Sequence, residues 1–360
     1  MVAAALPPHA TLYAALVARD AGFEGMFFAA VRTTRVFCRP TCPARKPRPE
    51  NVEFFASPDE ALAAGFRPCL RCRPLAAPGE TPDWVRRAVA LANRDPRQRI
   101  AAADLRAAGI DPERLRAWFK RHFGTTFARA IRAGRLASAL GAIDAGDDAL
   151  GAAFEHGWSS ASAFRDAAAR QRAALPADAT PEPATFALLP SPLGPLLAVA
   201  TAHGLALLEF LDRPALTGEL EDLARKHAIV AAPGESPLLD RTRRALEAYF
   251  AGSPAPFDLP LDLRGSDFEL RVWRELLTIP RGTTRSYGEI AAALGRPGAA
   301  RAVGLANGRN RIAIVVPCHR VIGADGALVG YGGGQVRKAH LLRLEGALGA
   351  DLFAAGPDLS

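Results

Sequence analysis

One cysteine stands in a setting typical of a nucleophile: Cys318, between Pro317 and His319. The apolar residues Val315 and Val316 before it predict a buried strand. The proline ends this strand and stiffens the chain that follows. A thiol held still beside a basic imidazole can form a thiolate, the nucleophilic form. A bare Cys-His pair is more often a structural cysteine beside a surface histidine, so the surrounding residues must decide.

The other four cysteines form two close pairs, C-x3-C and C-x2-C. They are Cys38, Cys42, Cys69 and Cys72. Such pairs, separated by a loop, favour a tetrahedral four-thiolate zinc site over two disulfides or a redox pair. Disulfides need an oxidising compartment, whereas residues 1–8 lack a charged signal segment. No run reaches membrane-span length. We therefore expect zinc, a cytoplasmic location and no membrane partner.

Basic side chains crowd the segments around these cysteines, and Arg45, Arg67 and Arg71 are candidates for phosphate contact. A solvated basic face is the alternative for each of them. The 360-residue chain has a formal net charge of +8 and a pI of about 9.7. This charge suits a nucleic-acid partner, and the length predicts two or three domains.

Two short helices upstream of Cys318 must position it against a substrate. The first is predicted over residues 287–295 with Ser286 as its cap, and the second over residues 298–307. Joined by a Gly-Pro turn, they predict a helix-turn-helix. The second helix is rich in Ala and Gly, which permits close approach to DNA, including its minor groove. Its Arg301 can fill the gap left by a flipped base, although a solvated helix charge is the alternative.

The sequence Pro-Cys-His-Arg-Val at 317–321 resembles the active-site signature of the methylated-DNA–protein-cysteine methyltransferases. The segments Tyr-Gly-Glu at 287–289, Ala-Arg-Ala-Val-Gly at 300–304 and Leu-Glu-Gly at 344–346 agree in order and spacing. The resemblance covers about residues 264–349. Residues 185–262 are compatible with the amino-terminal subdomain of that family but carry no sharp motif.

The resemblance implies the chemistry. Cys318 attacks the alkyl carbon on O6 of guanine, and the methyl carbon of O4-methylthymine in the same way. His319 deprotonates the thiol through a water. Glu345 orients the imidazole, as the carboxylate of a catalytic triad does. The thioether product is a poor leaving group, so one protein molecule is consumed per lesion. The lesion carries the methyl group, and no organic cofactor is expected.

The resemblance also implies contacts to DNA. Arg301 replaces the flipped base, Tyr287 crowds the target phosphate, and Tyr331 donates a hydrogen bond to the purine. A half-buried core aromatic is the alternative for Tyr287. Asn310 matches the hinge asparagine of the family. Many members have proline after this asparagine, but this chain has Arg311, which leaves the rigidity of the hinge open.

Residues 20–74 resemble the amino-terminal domain of the Ada adaptive-response family, on motifs that include Val-Phe-Cys-Arg-Pro-Thr-Cys at 36–42 and Arg-Pro-Cys-Leu-Arg-Cys at 67–72. In that family the first of the four cysteines is both a ligand of one zinc ion and the acceptor of a methyl group from a DNA phosphotriester. Cys38 matches that position.

The middle of the chain resembles the double helix-turn-helix of AraC-type regulators. Residues 105–124 match its first unit, where Arg116 and Lys120 are candidates for DNA contact. Residues 152–165 match the second unit, which is degraded: Asp-Ala-Ala-Ala follows at 166–169 where the family has a basic, aromatic helix. The Ala- and Pro-rich residues 79–82 and 175–183 predict linkers.

The expected fold is therefore multidomain α/β, with four parts. They are a small zinc-bound α+β domain at 1–78, an all-α AraC-type domain at 81–174, a ribonuclease-H-like methyltransferase subdomain at 185–263, and a winged-helix-like active-site subdomain at 264–350. The expected protein is a monomer that repairs alkylated double-stranded DNA and, once methylated at Cys38, activates a promoter with RNA polymerase. An alkylation-sensing transcription factor with little repair, or repair without regulation, are the alternatives.

Overall fold

The structure is a computed structural model that describes residues 6–20, 23, 26–72, 74–75, 81–95, 98–173 and 179–348. The predicted linker residues 79–80 and 175–178 lie outside this part of the chain, as do the domain ends predicted at 78, 174 and 350. Among the described residues, no helix combines the length and the apolar character needed to cross a membrane.

The amino-terminal part is a four-stranded sheet with two helices. Its elements are α1 (His9–Ala18), β1 (Phe28–Val31), β2 (Val36–Cys38), β3 (Val52–Phe55), α2 (Pro58–Ala63) and β4 (Arg67–Pro68). The strand order is β3-β1-β2-β4, and only the β2–β4 pair is parallel. In that pair Phe37 lies opposite Pro68, so the sheet register brings Cys38 beside Cys69.

Six helices form the middle of the molecule. They are α3 (Asp83–Arg94), α4 (Ala102–Ala107), α5 (Pro112–Phe123), α6 (Phe127–Asp144), α7 (Ala149–Glu155) and α8 (Ala161–Ala173). Helix α5 begins where the sequence predicts, because the side chain of Asp111 accepts hydrogen bonds from two backbone N–H groups of the first turn. Gly124, in the left-handed region at φ 67°, ends it.

A second four-stranded sheet follows, in the order β7-β6-β5-β8. Its elements are β5 (Glu182–Leu189), β6 (Leu196–Ala200), β7 (Leu205–Phe210), α9 (Leu216–His227), β8 (Ile229–Pro233) and α10 (Pro237–Phe250). The predicted linker is too long at its end. Glu182 and Pro183 already belong to β5, where they pair in parallel with Ile229 and Val230.

The helical middle and this sheet share one apolar core, in which α5 and α6 pack against the sheet. The rings of Phe123 and Phe186 lie 5.3 Å apart. A Cβ on Gly134 of α6 would collide with the side chain of Ala232 in β8. Helix α6 therefore approaches β8 as closely as the backbone allows. The helix-turn-helix region is therefore packed onto the methyltransferase-like sheet rather than separated from it.

The carboxyl-terminal part surrounds Cys318. Its elements are α11 (Asp267–Leu276), β9 (Arg285–Ser286), α12 (Tyr287–Ala293), α13 (Ala300–Gly308), a 3-10 helix (Cys318–Arg320), β10 (Val321–Ile322) and α14 (Gln335–Leu344). Helices α12 and α13 form the predicted helix-turn-helix, nearly within the predicted bounds. The Ser286 hydroxyl accepts a hydrogen bond from the Glu289 N–H, as expected of its cap.

The strand predicted at Val315 and Val316 is wrong. Both residues are buried, but their backbone N–H groups bond within a turn: Val315 to Ala313 O at 2.8 Å and Val316 to Ile312 O at 3.0 Å. Ile314 has a φ of 71°, an uncommon conformation for a β-branched residue. Burial explains the apolar run, because a buried turn requires apolar side chains as much as a strand does.

Candidate active sites and metal centre

Cys318 lies at the first position of the 3-10 helix. It is packed within the apolar core, and only 5% of the residue is exposed. The Asn310 side-chain amide donates a hydrogen bond to the Cys318 Sγ at 3.1 Å and another to the Val316 carbonyl at 2.9 Å. Burial raises the pKa of Cys318 to about 11, although the Asn310 hydrogen bond acts in the opposite direction. At neutral pH the resting group is therefore a thiol that needs a base.

His319 follows Cys318 in the chain and is fully buried. Its Nε2 is 3.0 Å from the Glu345 Oε1, whereas its Nδ1 has no partner among the described residues. Burial lowers the pKa of His319, so the imidazole is neutral. A neutral ring that donates from Nε2 to a carboxylate presents a free lone pair on Nδ1, and that nitrogen is available as a base.

The carboxylate of Glu345 is held from three sides. The Tyr249 hydroxyl donates to Oε1 at 2.8 Å, and Arg320 donates to Oε2 at 2.8 Å and to Oε1 at 2.9 Å. Burial alone raises the pKa of Glu345, but the hydrogen bonds from His319 and Arg320 outweigh it and hold the pKa well below its usual range. The carboxylate is thus ionised and fixed.

Sequence reasoning missed Tyr249 and Arg320. Tyr249 lies in α10, 96 residues before its partner Glu345, and no local spacing links the two. Arg320 is part of the motif around Cys318, but its side chain turns back to bond Glu345 and the Ile279 carbonyl. Only the folded chain shows that both residues serve the same carboxylate.

Two residues predicted to contact DNA lie on the adjoining helices α12 and α13. Arg301 is exposed in the first turn of α13 and makes no hydrogen bond or ion pair with any other described residue. Tyr287 is half-buried; its ring lies against Gly304 of α13, and its hydroxyl donates to the carbonyls of Val329 and Gly330 at 3.2 and 3.3 Å. A Cβ at Gly304 would lie 3.7 Å from the ring, an ordinary van der Waals distance, so the ring packs against α13 without depending on the glycine.

Tyr331 lies in the loop before α14, next to His319. Its ring is perpendicular to that of His319, with 6.4 Å between the centroids. Its hydroxyl is buried and has no partner among the described residues. Burial raises the pKa of Tyr331 well above its usual value, so the hydroxyl keeps its proton and can donate it in a hydrogen bond to a bound group.

The four remaining cysteines converge in the amino-terminal part. The Sγ atoms of Cys38, Cys42, Cys69 and Cys72 all lie within 4.8 Å of one another. Four thiolates at about 2.3 Å from a tetrahedral zinc ion lie about 3.8 Å apart, so this cluster fits zinc with little movement. Backbone hydrogen bonds set the loops: the Cys69 N–H donates to Phe37 O at 3.0 Å, and the Cys42 N–H to Arg39 O at 3.2 Å.

Two basic side chains support these loops directly, although the sequence marked them only as part of a basic surface. The Lys46 ammonium donates to the carbonyls of Pro40 and Cys42 at 3.2 and 3.0 Å. Arg39 donates from its backbone N–H to the Cys72 Sγ at 3.3 Å and from its side chain to the Cys72 carbonyl at 3.1 Å. Their positive charge offsets the charge of a thiolate cluster.

All five arginines and lysines predicted to contact DNA outside the methyltransferase region are exposed. They are Arg45, Arg67, Arg71, Arg116 and Lys120. The first three flank the cysteine cluster. The other two lie on α5, whose opposite face is buried in the core shared with the sheet.

Four family models match successive parts of the chain. They are the metal binding domain of Ada at 11–74, a helix-turn-helix domain at 105–180, and the ribonuclease-like and DNA binding domains of 6-O-methylguanine DNA methyltransferase at 185–263 and 267–347. The bifunctional transcriptional activator/DNA repair enzyme Ada of Escherichia coli is 37% identical over 341 residues, which cover 92% of this chain and 94% of that protein. The chain belongs to the Ada family.

Shorter similarities extend over parts of this Ada-family protein. The methylated-DNA–protein-cysteine methyltransferase of Mycobacterium tuberculosis is 52% identical over 160 residues, 44% of this chain and 91% of that protein. The crystal structure of the methylated N-Ada/DNA complex is 36% identical and covers 35% of this chain and 98% of that one, with a TM-score of 0.28.

Membership of the Ada family confirms the multidomain α/β fold expected from the sequence. The match to the metal binding domain of Ada spans all four clustered cysteines, and this part of the Ada-family chain binds zinc. DNA is the partner that its helix-turn-helix and methyltransferase domains share.

Proposed function

We propose that this Ada-family protein repairs alkylated DNA by two irreversible methyl transfers, one from O6-methylguanine to Cys318 and one from methylphosphotriesters to Cys38. The observation that carries the first transfer is the buried thiol of Cys318, which is followed in the chain by a neutral imidazole whose Nε2 is hydrogen-bonded to an ionised carboxylate. This is the order of nucleophile, base and orienting group that covalent catalysis requires.

The transfer at Cys318 is a displacement at the methyl carbon. The Nδ1 of His319 takes the thiol proton through a water, and Glu345 stabilises the imidazolium that forms. The Sγ–C bond forms as the C–O6 bond breaks, and the electron pair of that bond goes to the departing guanine. The Tyr331 hydroxyl donates a hydrogen bond to the purine as this charge develops. O4-methylthymine is a second substrate of the same chemistry.

The target base must leave the duplex to reach a thiol that is buried. Helix α13 presents small residues and the exposed Arg301 beside the site. Arg301 occupies the gap in the duplex, and Tyr287, at the start of α12, crowds the phosphate of the flipped nucleotide. Their positions on adjoining helices of one helix-turn-helix support these two roles.

At the amino-terminal site Cys38 is the acceptor. Bound zinc keeps its four ligand thiols deprotonated at neutral pH. Cys42 and Cys69 are buried, whereas Cys38 and Cys72 are partly exposed. The Sγ of Cys72 accepts a hydrogen bond from the Arg39 N–H, which lowers its nucleophilicity and favours Cys38. Arg45, Arg67 and Arg71 hold the backbone of the damaged strand at this surface.

Stoichiometry tests the repair proposal. Duplex DNA with radiolabelled O6-methylguanine is mixed with limiting protein, and the label bound to protein is counted over time. We expect one methyl group per protein molecule and then no further transfer, because the thioether cannot be displaced. Turnover beyond one equivalent, or label that remains on DNA, would contradict the proposal.

We further propose that methylation of Cys38 converts the protein into a transcriptional activator. Zinc with four thiolates carries a net charge of about −2, and with one thioether about −1. Loss of one negative charge near a DNA phosphate is worth ~1 to ~4 kcal/mol at close range, a roughly tenfold to thousandfold gain in affinity. Arg116 and Lys120, exposed on α5, supply contacts to the promoter, and the bound monomer engages RNA polymerase.

Titration of promoter DNA tests this switch. Unmodified protein and protein methylated at Cys38 are compared at two salt concentrations. We expect tighter binding by the methylated form, with a gain that shrinks as salt screens exposed charges. Equal affinities would contradict the switch and favour a repair protein without regulation, in line with the degraded second helix-turn-helix. The molar mass of the free protein, measured by light scattering, tests whether it is a monomer.

A further inference from the structure

A second buried ionic cluster lies beneath Cys318 and has no part in the chemistry above. It consists of Glu209 in β7, Arg213 three residues after β7, and Glu219 in α9. Glu209 is 1% exposed and Arg213 9% exposed. The Arg213 guanidinium contacts the Glu209 carboxylate and lies 3.2 Å from the Glu219 Oε1. Charges buried at this depth are costly to desolvate, so their other contacts indicate what they hold.

The guanidinium reaches across to the carboxyl-terminal part. Its Nη2 donates to the Gly308 carbonyl at 2.7 Å and its Nη1 to the Asn310 carbonyl at 3.2 Å. Gly308 is the last residue of α13, and the carbonyls at a helix end lack partners within the helix and attract positive charge. Arg213 therefore fastens the end of the DNA-facing helix and the hinge that follows it to β7.

Asn310 carries this restraint to the nucleophile. Its side-chain amide contacts the Cys318 Sγ, and its Oδ1 accepts a hydrogen bond from the Ile312 N–H at 3.0 Å. Few backbone hydrogen bonds hold the main chain here: the Asn310 N–H donates to Asn307 O at 3.2 Å, and the residues that follow it bond Leu208 in β7. A displaced Asn310 carbonyl would move the amide away from the thiol.

The neighbouring residue shows the same arrangement. Arg311 stands where many methyltransferases have proline, and it donates to the Arg264 carbonyl at 2.6 Å and to the Asp222 carboxylate at 3.2 Å. Gly332, in the loop after Tyr331, lies so close to the Arg213 guanidinium that a Cβ there would collide with it. Side-chain contacts thus supply the rigidity that the absent proline does not.

We infer that Arg213 is a positioning residue for methyl transfer: anchored by Glu209 and Glu219, it clamps the carbonyls of Gly308 and Asn310 and so fixes the Asn310 amide against the Cys318 thiol. It touches neither the base nor the reacting atoms and acts through Asn310. The inference rests on the proposed transfer to Cys318 and adds a residue that determines its rate.

The test compares Arg213→Lys with Arg241→Lys. Lysine keeps the charge at 213 but lacks the planar fork that reaches two carbonyls at once. Arg241 in α10 is the matched control, because its guanidinium bonds the carbonyl and the carboxylate of Asp258 and makes no hydrogen bond to the hinge around Asn310. Each variant is assayed for duplex affinity, for the maximal rate of transfer from O6-methylguanine, and for transfer from phosphotriesters to Cys38.

We expect Arg213→Lys to lower the maximal rate by about 10- to 100-fold, the usual effect of a slightly misplaced reacting group, while duplex affinity and transfer to Cys38 stay unchanged. Arg241→Lys should match the unmodified protein in all three. An Arg213→Lys variant with the original rate, or one that loses rate and duplex affinity in the same proportion, would overturn the clamp. If Arg213→Lys does not fold, Glu219→Gln, which loosens the anchor but keeps its shape, must still slow transfer.

Alkylation of Cys318 by iodoacetamide separates this inference from the proposed function. Peptide masses report the rate at pH 8 without any DNA. We expect Arg213→Lys to react more slowly than the unmodified protein, because the thiolate loses its fixed hydrogen bond, and an equal or faster rate would contradict the clamp. Failure of the unmodified protein to accept methyl from O6-methylguanine would reject the proposed function. The iodoacetamide reaction uses no DNA, so its outcome tests the clamp independently of that failure.

Discussion

The two acceptor sites of this molecule activate a thiol in opposite ways. The cysteines around Cys38 lie close together in sequence and near the surface, and a metal ion supplies the charge that deprotonates them. Cys318 is buried as a neutral thiol, and its partners come from distant parts of the chain: Asn310 from the hinge, Glu345 from the end of α14 and Tyr249 from α10. A metal thus replaces a whole network of hydrogen bonds.

The difference matches the substrates that we propose. A phosphotriester lies on the outside of the duplex, and a partly exposed thiolate near the surface can reach it. A methylated base must be flipped into a pocket, where a permanently charged thiolate would be costly to bury. Generating the nucleophile only when His319 takes the proton avoids that cost. The same chain therefore carries one site whose thiolates are always charged and one whose thiol becomes a thiolate only when His319 takes its proton.

The largest effect that separates the sites comes from removing one of them. Cys318→Ala should abolish transfer from O6-methylguanine and leave phosphotriester transfer intact, because the zinc site has its own core and ligands. Cys69→Ala should do the reverse and unfold the zinc-binding part, since a module this small depends on its metal. Labelled methyl from each substrate measures both. Loss of both activities in either variant would show that the sites are not independent.

A smaller effect concerns pH. Because the pKa of Cys318 is raised to about 11, the thiolate fraction of the free protein should rise about tenfold per pH unit between pH 7 and pH 9, and alkylation of Cys318 by iodoacetamide should rise with it, about 100-fold in all. Thiolates on zinc should show no such rise. Quenched-flow alkylation with peptide mapping measures both rates, and a plateau for Cys318 below pH 8 would mean that its thiolate is already formed.

The smallest effect concerns Arg301. Arg301→Ala should slow repair of duplex DNA about tenfold but leave transfer from a free O6-alkylguanine base unchanged, because a residue that fills a gap in the duplex has no role without one. Arg243→Ala is the control. Arg243 lies on α10, where it pairs with Asp240, and is not part of the helix α13 that carries Arg301. Equal slowing on both substrates would assign Arg301 a structural role.

The zinc site was readable from sequence because its ligands are close together in the chain and their spacing is specific. Helix α12 was readable because Ser286 and Glu289 mark its start locally. The strand at Val315 and Val316 was wrong because a buried turn and a buried strand have the same apolar composition.

Contacts between distant segments could not be predicted. The bond from Tyr249 to Glu345 spans 96 residues, and that from Arg213 to Asn310 spans 97. Neither residue belongs to a motif, and their burial depends on how α10 and β7 meet the carboxyl-terminal part. The packing of α5 and α6 on the second sheet has the same origin: Phe123 and Phe186 are apolar in any fold, and only the tertiary structure pairs them.

The central claim is that one chain holds two separate methyl acceptors, and peptide mass mapping tests it most directly. Zinc-loaded protein is incubated with DNA that contains only O6-methylguanine, only methylphosphotriesters, or both, and then digested. We predict one added methyl group on the peptide with Cys318 in the first case, one on the peptide with Cys38 in the second, and both in the third. A methyl group on Cys42, Cys69 or Cys72, or on the same cysteine from both lesions, would contradict the account.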